Sequence, residues 1–220
     1  MYHISKFFDY ISRNYHEILG FTLEHIQLVG ISIIIAILIG VPLGIYLTAN
    51  EHLADLVLQI TSIIMTIPSI ALFGLMIPIL SIIGQGIGFL PAFIALVLYS
   101  QLPIIRNTYT GINNVDPNIR DAAKGIGMST FQRLIKVEIP IAMPLIMAGV
   151  RTATVLSIGI GAIAAFIGAG GLGVLINQGI SRTNPTMIVV GAVAVSIMAI
   201  LADLLLKFIQ NKLSPKSMKS

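Results

Sequence analysis

The chain has 220 residues, 56% of them apolar and only 10% charged, against about 25% charged in an ordinary soluble domain. With a mean hydropathy of +0.95 such a composition cannot cover a water-facing surface, so lipid is the solvent most of the chain is built for. The absence of cysteine excludes disulfide frameworks, iron–sulfur clusters, thiolate zinc sites and cysteine nucleophiles, and the net charge of +4 bears on topology before it bears on nucleic acid.

Residues 1–24 are the more polar start of the chain. Ile4, Phe7, Phe8, Ile11, Tyr15 and Ile18 recur there at helical spacing, which predicts an amphipathic helix that either lies in the outer interface or packs on the bundle. No short apolar core followed by a small-residue cleavage site precedes residue 25, so a cleaved signal peptide is not expected. Beyond it, the intervals free of Asp, Glu, Lys and Arg are 25–50, 56–105, 152–181 and 183–202, with a shorter one at 139–150. About 20 helical residues cross a hydrocarbon core. The first interval therefore holds one span and the second holds two, joined by a turn at Gly84–Gly88. Residues 139–166 make a fourth span, interrupted by Arg151, and 186–209 a fifth, ending near Asp203 and Lys207. Pro68 and Pro78 predict kinks in span two. Gly40 and Gly44 in span one, and Gly159 and Gly161 in span four, permit close helix approach, the first pair as a dimer contact or as packing within the chain.

Arg106, Arg120, Lys124, Arg133 and Lys136 fall between spans three and four, and Lys207, Lys212, Lys216 and Lys219 at the C-terminus. With five spans these nine of the 13 basic residues share a side, facing Lys6, Arg13 and Arg182, so they mark the cytoplasm and the N-terminus is outside. The layout is a helix at 1–24 outside, a membrane domain at 25–210 with a cytoplasmic loop at 106–140, and a cytoplasmic tail at 211–220.

That loop has the signals of short helices. Asp116-Pro117 opens the first, with Asp116 as N-cap, and Gly125 or Gly127 stops it. Ser129 and Gln132 have the spacing of a capping box that opens a second helix, which leads through Phe131, Leu134 and Ile135 to Pro140. Ala122 and Ala123 beside a glycine break offer a flat surface that a cytoplasmic partner could grip to move the spans.

Asp121-Ala122-Ala123, three residues, Gly127, then nine residues to Val137-Glu138-Ile139-Pro140 resembles the signature loop of ABC importer permeases, whose form is EAA, three residues, G, nine residues, I-x-L-P. Asp121, Val137 and Ile139 are conservative departures, while Ala122, Ala123, Gly127 and Pro140 match in register. The resemblance covers most of the membrane region. Thr66–Leu72, Leu102–Ile112 and Ala165–Gly173 look like the branch that imports glycine betaine, carnitine and choline, the last block being similar also to methionine permeases. It implies an all-α, polytopic membrane protein of about five transmembrane helices with the type I ABC importer permease fold, in a bacterial cell membrane. It further implies two cytoplasmic ATPase subunits, a second permease identical or paralogous to this one, and an extracytoplasmic substrate-binding protein. ATP would be bound by the partner subunit, and no cofactor, metal or nucleic acid is expected. The coupling residues carried over are Asp121, Ala122, Ala123, Gly127, Val137, Ile139 and Pro140.

The remaining residues fit this reading. Gly168, Gly170 and Gly173 match GxGxxG without the strand before it or the acidic residue after it that dinucleotide binding requires, and no phosphate loop is present, so this chain is not expected to hydrolyse ATP by that chemistry. Arg151, well inside a span, needs a partner. Asp203, backbone carbonyls and a substrate carboxylate are the candidates, and Arg151 and Asp203 form a candidate intramembrane polar site. Tyr46, Tyr99 and Tyr109 stand near span ends as interface anchors or as aromatic faces for a quaternary ammonium. The histidines at 3, 16, 25 and 52 lack metal-ligand spacing and read as polar-region residues. Another small solute such as methionine is the alternative cargo, and with only Arg151 and Asp203 as intramembrane charges an ion-coupled secondary transporter is the weaker class.

Overall fold

The structure, a computed structural model, describes residues 2–213, and every regular element among them is helical. Helix α1 (Tyr2–Leu47) carries the polar N-terminal segment into the first span without interruption, kinked only at Asn14, where φ is −118° and ψ 18°. The separate helix expected at 1–24 is thus the N-terminal half of a longer one. Lys6, Asp9, Arg13 and Glu17 face outward, while Phe7, Tyr10, Ile11, Ile18 and Phe21 pack against Leu172, Leu175, Met187 and Val190. Of the two readings of this segment, packing on the bundle holds, because its apolar stripe finds an apolar partner.

Asn50 caps α2 (Glu51–Thr66) by accepting from the Leu53 amide at 3.1 Å. The expected kink at Pro68 is a full break, with α2 and α3 (Ser69–Ser81) meeting at 100°. Proline supplies no amide and pushes the preceding residue out of helical geometry, and Ile67 accordingly has φ −69° and ψ 127°. The carbonyl this frees accepts the Tyr99 hydroxyl, so Tyr99 is neither an interface anchor nor an exposed ring but a buried strut, 4% exposed. Pro78, by contrast, lies inside α3 without a break.

A turn through Gly84 and Gly88 leads into α4 (Phe89–Asn113), the most enclosed helix of the bundle. Its position follows from small residues on its neighbours. A Cβ added at Gly40 would stand 2.8 Å from Ile104, and one at Gly44 would stand 2.7 Å from Thr108, so the GxxxG pair serves packing within the chain. The main core joins Leu28, Val29 and Ala36 of α1, Phe73 of α3, Ala92, Leu96 and Ile104 of α4, and residues of the fourth span.

Past α4 come the loop helices α5 (Pro117–Gly125) and α6 (Thr130–Arg133), a π turn (Leu134–Glu138) and α7 (Ile139–Ile163). A 3-10 turn at Ala164–Ile167, a glycine-rich bend, α8 (Gly173–Ser181) and the peripheral α9 (Pro185–Leu213) complete the fold. Four helices are long and apolar enough to cross a membrane, and the bent pair α2–α3 makes a fifth span when counted as one. Lys216 and Lys219 lie outside the described residues.

Candidate coupling surface and intramembrane ion pair

The loop between α4 and α7 is built by local rules. Asp116 accepts from the Asn118 amide at 2.8 Å to start α5. The helix ends in a Schellman closure, Met128 N–H to Ala123 carbonyl at 3.1 Å and Gly127 N–H to Lys124 carbonyl at 2.9 Å. Gly127 adopts φ +82° there, a conformation that side chains disfavour. Ser129 and Gln132 form both halves of the capping box, so the two helices and the glycine break stand where the sequence puts them.

The side chains divide differently from the expectation for this loop. Ala122 is exposed, but Ala123 is buried at 5% and faces inward, where its small volume lets α5 seat against the bundle. The most exposed apolar groups of the loop are Ile126 at 76% and Phe131 at 70%, followed by Ile135 and Ile119. Helical spacing of large residues on a short amphipathic loop was the signal available for them.

Glu138 was quoted only as the variable position between Val137 and Ile139, yet it is the electrostatic centre of the loop. Its side chain is 7% exposed, accepts from Arg133 at 2.7 Å and lies 3.6 Å from Arg120. Arg120 also donates to the Ile112 carbonyl at the end of α4. The π turn makes the Arg133 contact, because its wider i→i+5 hydrogen bonding, seen in the Ile139 amide donating to the Leu134 carbonyl, brings side chains five positions apart closer to one face. One carboxylate thereby ties α5, α6 and the ends of α4 and α7 together. Val137 is partly exposed, and Ile139 and Pro140 begin α7.

Within the membrane region the structure brings Arg151 and Asp203 together. The guanidinium donates to both carboxylate oxygens, Nε to Oδ1 at 2.8 Å and Nη2 to Oδ2 at 2.9 Å, and Nη1 donates to Gln210 Oε1 at 3.0 Å. Gln210 in turn donates to the Pro144 carbonyl at 3.0 Å. A bidentate pair of this kind is the strong form of the interaction, and it fastens α7 to the peripheral α9.

At the opposite end from the loop, His25 is fully buried, contrary to its reading as a polar-region residue. Its Nε2 lies 3.1 Å from the Ile158 carbonyl, and its Nδ1 accepts from the Leu172 amide at 3.2 Å. A neutral imidazole with the proton on Nε2 satisfies both. Glu24 accepts from the Gly171 amide at 2.9 Å. Gly170 and Gly171 have φ of +78° and +81°, and the GxGxxG-like bend is thus a backbone cradle for Glu24 and His25. Among the described residues no group of three or more His, Asp or Glu is placed to hold a metal ion.

A helical membrane domain with a capped two-helix loop set on the base of a long helix is the form of a transporter's membrane subunit. Residues 36–219 match the family model described as binding-protein-dependent transport system inner membrane component, and the chain belongs to that family. It is 49% identical to the osmoprotectant import permease protein OsmW of Salmonella typhimurium, over 96% of this chain and 98% of that one. It is 43% identical to the choline transport system permease protein OpuBB of Bacillus subtilis, over 100% and 97%. With the glycine betaine/carnitine/choline transport system permease protein OpuCB of the same organism it shares 41%, over 98% and 97%. Among solved structures it is similar to a chain of the inward-facing MetNI methionine ABC transporter, at 25% identity and a TM-score of 0.79, covering 88% of this chain and 94% of that one. Permeases of this family do not hydrolyse ATP themselves; a separate ATPase subunit does.

Proposed function

We propose that the chain is the membrane subunit of an ATP-driven importer for quaternary ammonium compatible solutes, glycine betaine, carnitine and choline, taken up for osmoprotection. The observation that carries this reading is identity of 41–49% along nearly the whole chain to permeases named for osmoprotectants, choline, or glycine betaine, carnitine and choline. Methionine enters through a fold likeness at 25% identity. In the working assembly two permease chains face each other over the solute path, two ATPases bind the loop side, and an extracytoplasmic binding protein delivers solute to the other.

Nine basic residues on one side support an N-terminus outside and the loop in the cytoplasm. Coupling then runs through the chain's own geometry. Ile126 and Phe131 seat on the ATPase, and because α6 passes through the π turn directly into α7, a displacement of the loop travels up α7. The Arg120–Glu138–Arg133 cluster keeps α5 and α6 moving as one body. Accumulation of labelled glycine betaine, carnitine and choline at high osmolarity, in cells expressing the full assembly, tests the cargo. Methionine uptake with none of the three would overturn it.

A further inference from the structure

One face of α2 is polar where a lipid-facing helix would not be. At about 100° per residue, Asp55, Gln59, Ser62 and Thr66 fall within about 60° of one another. Asp55, Gln59 and Thr66 are exposed and Ser62 is partly so. Leu56, Ile60 and Ile63, also exposed at 54%, 48% and 58%, lie about 100° further round, and Ala54 and Thr61 are buried against the bundle. The helix therefore has a packing side, an apolar side suited to lipid, and a polar side suited to neither.

Arg106 of α4 stands at that polar side. It follows a run from Tyr99 to Ile105 that is buried throughout, yet it is itself exposed, and its Nη2 donates to Ser62 Oγ at 3.0 Å. Among the described residues it forms no ion pair. It sits about 10 Å up α4 from the end that enters the loop. A cation facing acyl chains is costly, so water and an anion are its natural surroundings.

We infer that the stripe Asp55–Gln59–Ser62–Thr66 lines the loop-side half of the solute path, and that Arg106 receives the carboxylate of a zwitterionic solute there. The inference rests on the importer reading above and adds the residues and a selectivity. Glycine betaine and carnitine carry a carboxylate and choline does not, so Arg106 discriminates among them, while Asp55, about 10 Å further toward the loop, presents the opposite charge to the ammonium group.

Two measurements on the complete assembly test it. In this Cys-free chain, with any cysteines of the partner subunits removed, single cysteines at 55, 59, 62 and 66 should react with a hydrophilic thiol reagent applied to inside-out vesicles, and cysteines at 56, 60 and 63 should not. Unreactive stripe positions, or cysteines at 59 and 62 that cross-link two permease chains, would make this face a subunit interface and overturn the path. In proteoliposomes, Arg106→Gln should raise the KM for glycine betaine and carnitine about 10- to 100-fold, the loss of one charge-assisted hydrogen bond pair, with choline changed less than about threefold and Arg106→Lys intermediate. Equal losses for all three solutes, no loss, or a wild-type assembly that moves choline alone would remove the assignment of Arg106. An assembly that moves none of the three would refute the cargo reading and the carboxylate site with it, while the labelling pattern still decides the path.

Discussion

Replacing Glu138 by Gln removes one charge and almost no volume, and its effect can be worked from the contacts. The carboxylate is 7% exposed and faces Arg133 at 2.7 Å and Arg120 at 3.6 Å. Removing one partner of a fully buried pair costs about 3–5 kcal/mol, because the other charge is left uncompensated. Here Arg133 and Arg120 remain 18% and 28% exposed, so water takes part of the load and about 2–3 kcal/mol is the working figure. That energy acts locally. The cores around α4 do not involve Glu138, whereas the placement of α5 and α6 against α7 does. A cost of 2–3 kcal/mol shifts the population of the correctly placed loop by about 30- to 160-fold. The expected result is normal membrane insertion and normal basal ATP hydrolysis by the assembled complex, with solute-stimulated hydrolysis and uptake reduced at least tenfold by about the same argument. Glu138→Asp, which keeps the charge, should recover part of both. Full solute-stimulated hydrolysis in Glu138→Gln would refute the reasoning and leave the cluster a local packing feature.

Gly127→Asp places a charged side chain at φ +82° in the break between α5 and α6 and should abolish transport without preventing insertion, read as lost co-purification of the ATPase or lost stimulation by solute; normal uptake would remove the loop from the mechanism. Asp203→Asn and Arg151→Gln should each lower the midpoint of thermal unfolding in detergent by the equivalent of about 1–3 kcal/mol, and the double variant Arg151→Met with Asp203→Leu should recover much of it. Additive losses in the double variant would show that the two side chains act separately. His25→Phe leaves the Leu172 amide without its partner, a cost of about 1–3 kcal/mol, so the Gly168–Leu172 bend should become susceptible to protease before the bundle unfolds. Unchanged susceptibility would mean that the bend holds without the histidine.

Features governed by near neighbours in the chain were legible in the sequence. Asp116, Gly127, Ser129 and Gln132 form caps and stops whose partners lie within five residues, and the spans follow from charge-free length. The break at Pro68 was legible as a kink, but its 100° angle depends on Tyr99, whose hydroxyl takes up the freed carbonyl from 32 residues away. His25 was misread for the same reason, since its partners Ile158 and Leu172 lie 133 and 147 residues on. Glu138 was hidden differently. Its charge neighbours Arg133 and Arg120 were noted only for topology, and a five-residue alignment requires a π turn that helical spacing does not suggest. The polar face of α2 needed only the positions 55, 59, 62 and 66 read at helical period, but starting the charge-free interval at residue 56 left Asp55 outside the span.

Under the proposed function, quaternary ammonium solutes cross this chain only when a separate ATPase drives it through the loop. The most direct test is uptake by purified assemblies in proteoliposomes, with binding protein supplied on the outer side and ATP enclosed. Labelled glycine betaine, carnitine or choline should accumulate against its gradient with ATP, should not accumulate when the ATPase cannot hydrolyse it, and should accumulate at least tenfold more slowly, by about the margin worked above, when the permease carries Glu138→Gln. Accumulation that persists with a hydrolysis-deficient ATPase and follows an ion gradient instead would make the chain a secondary transporter.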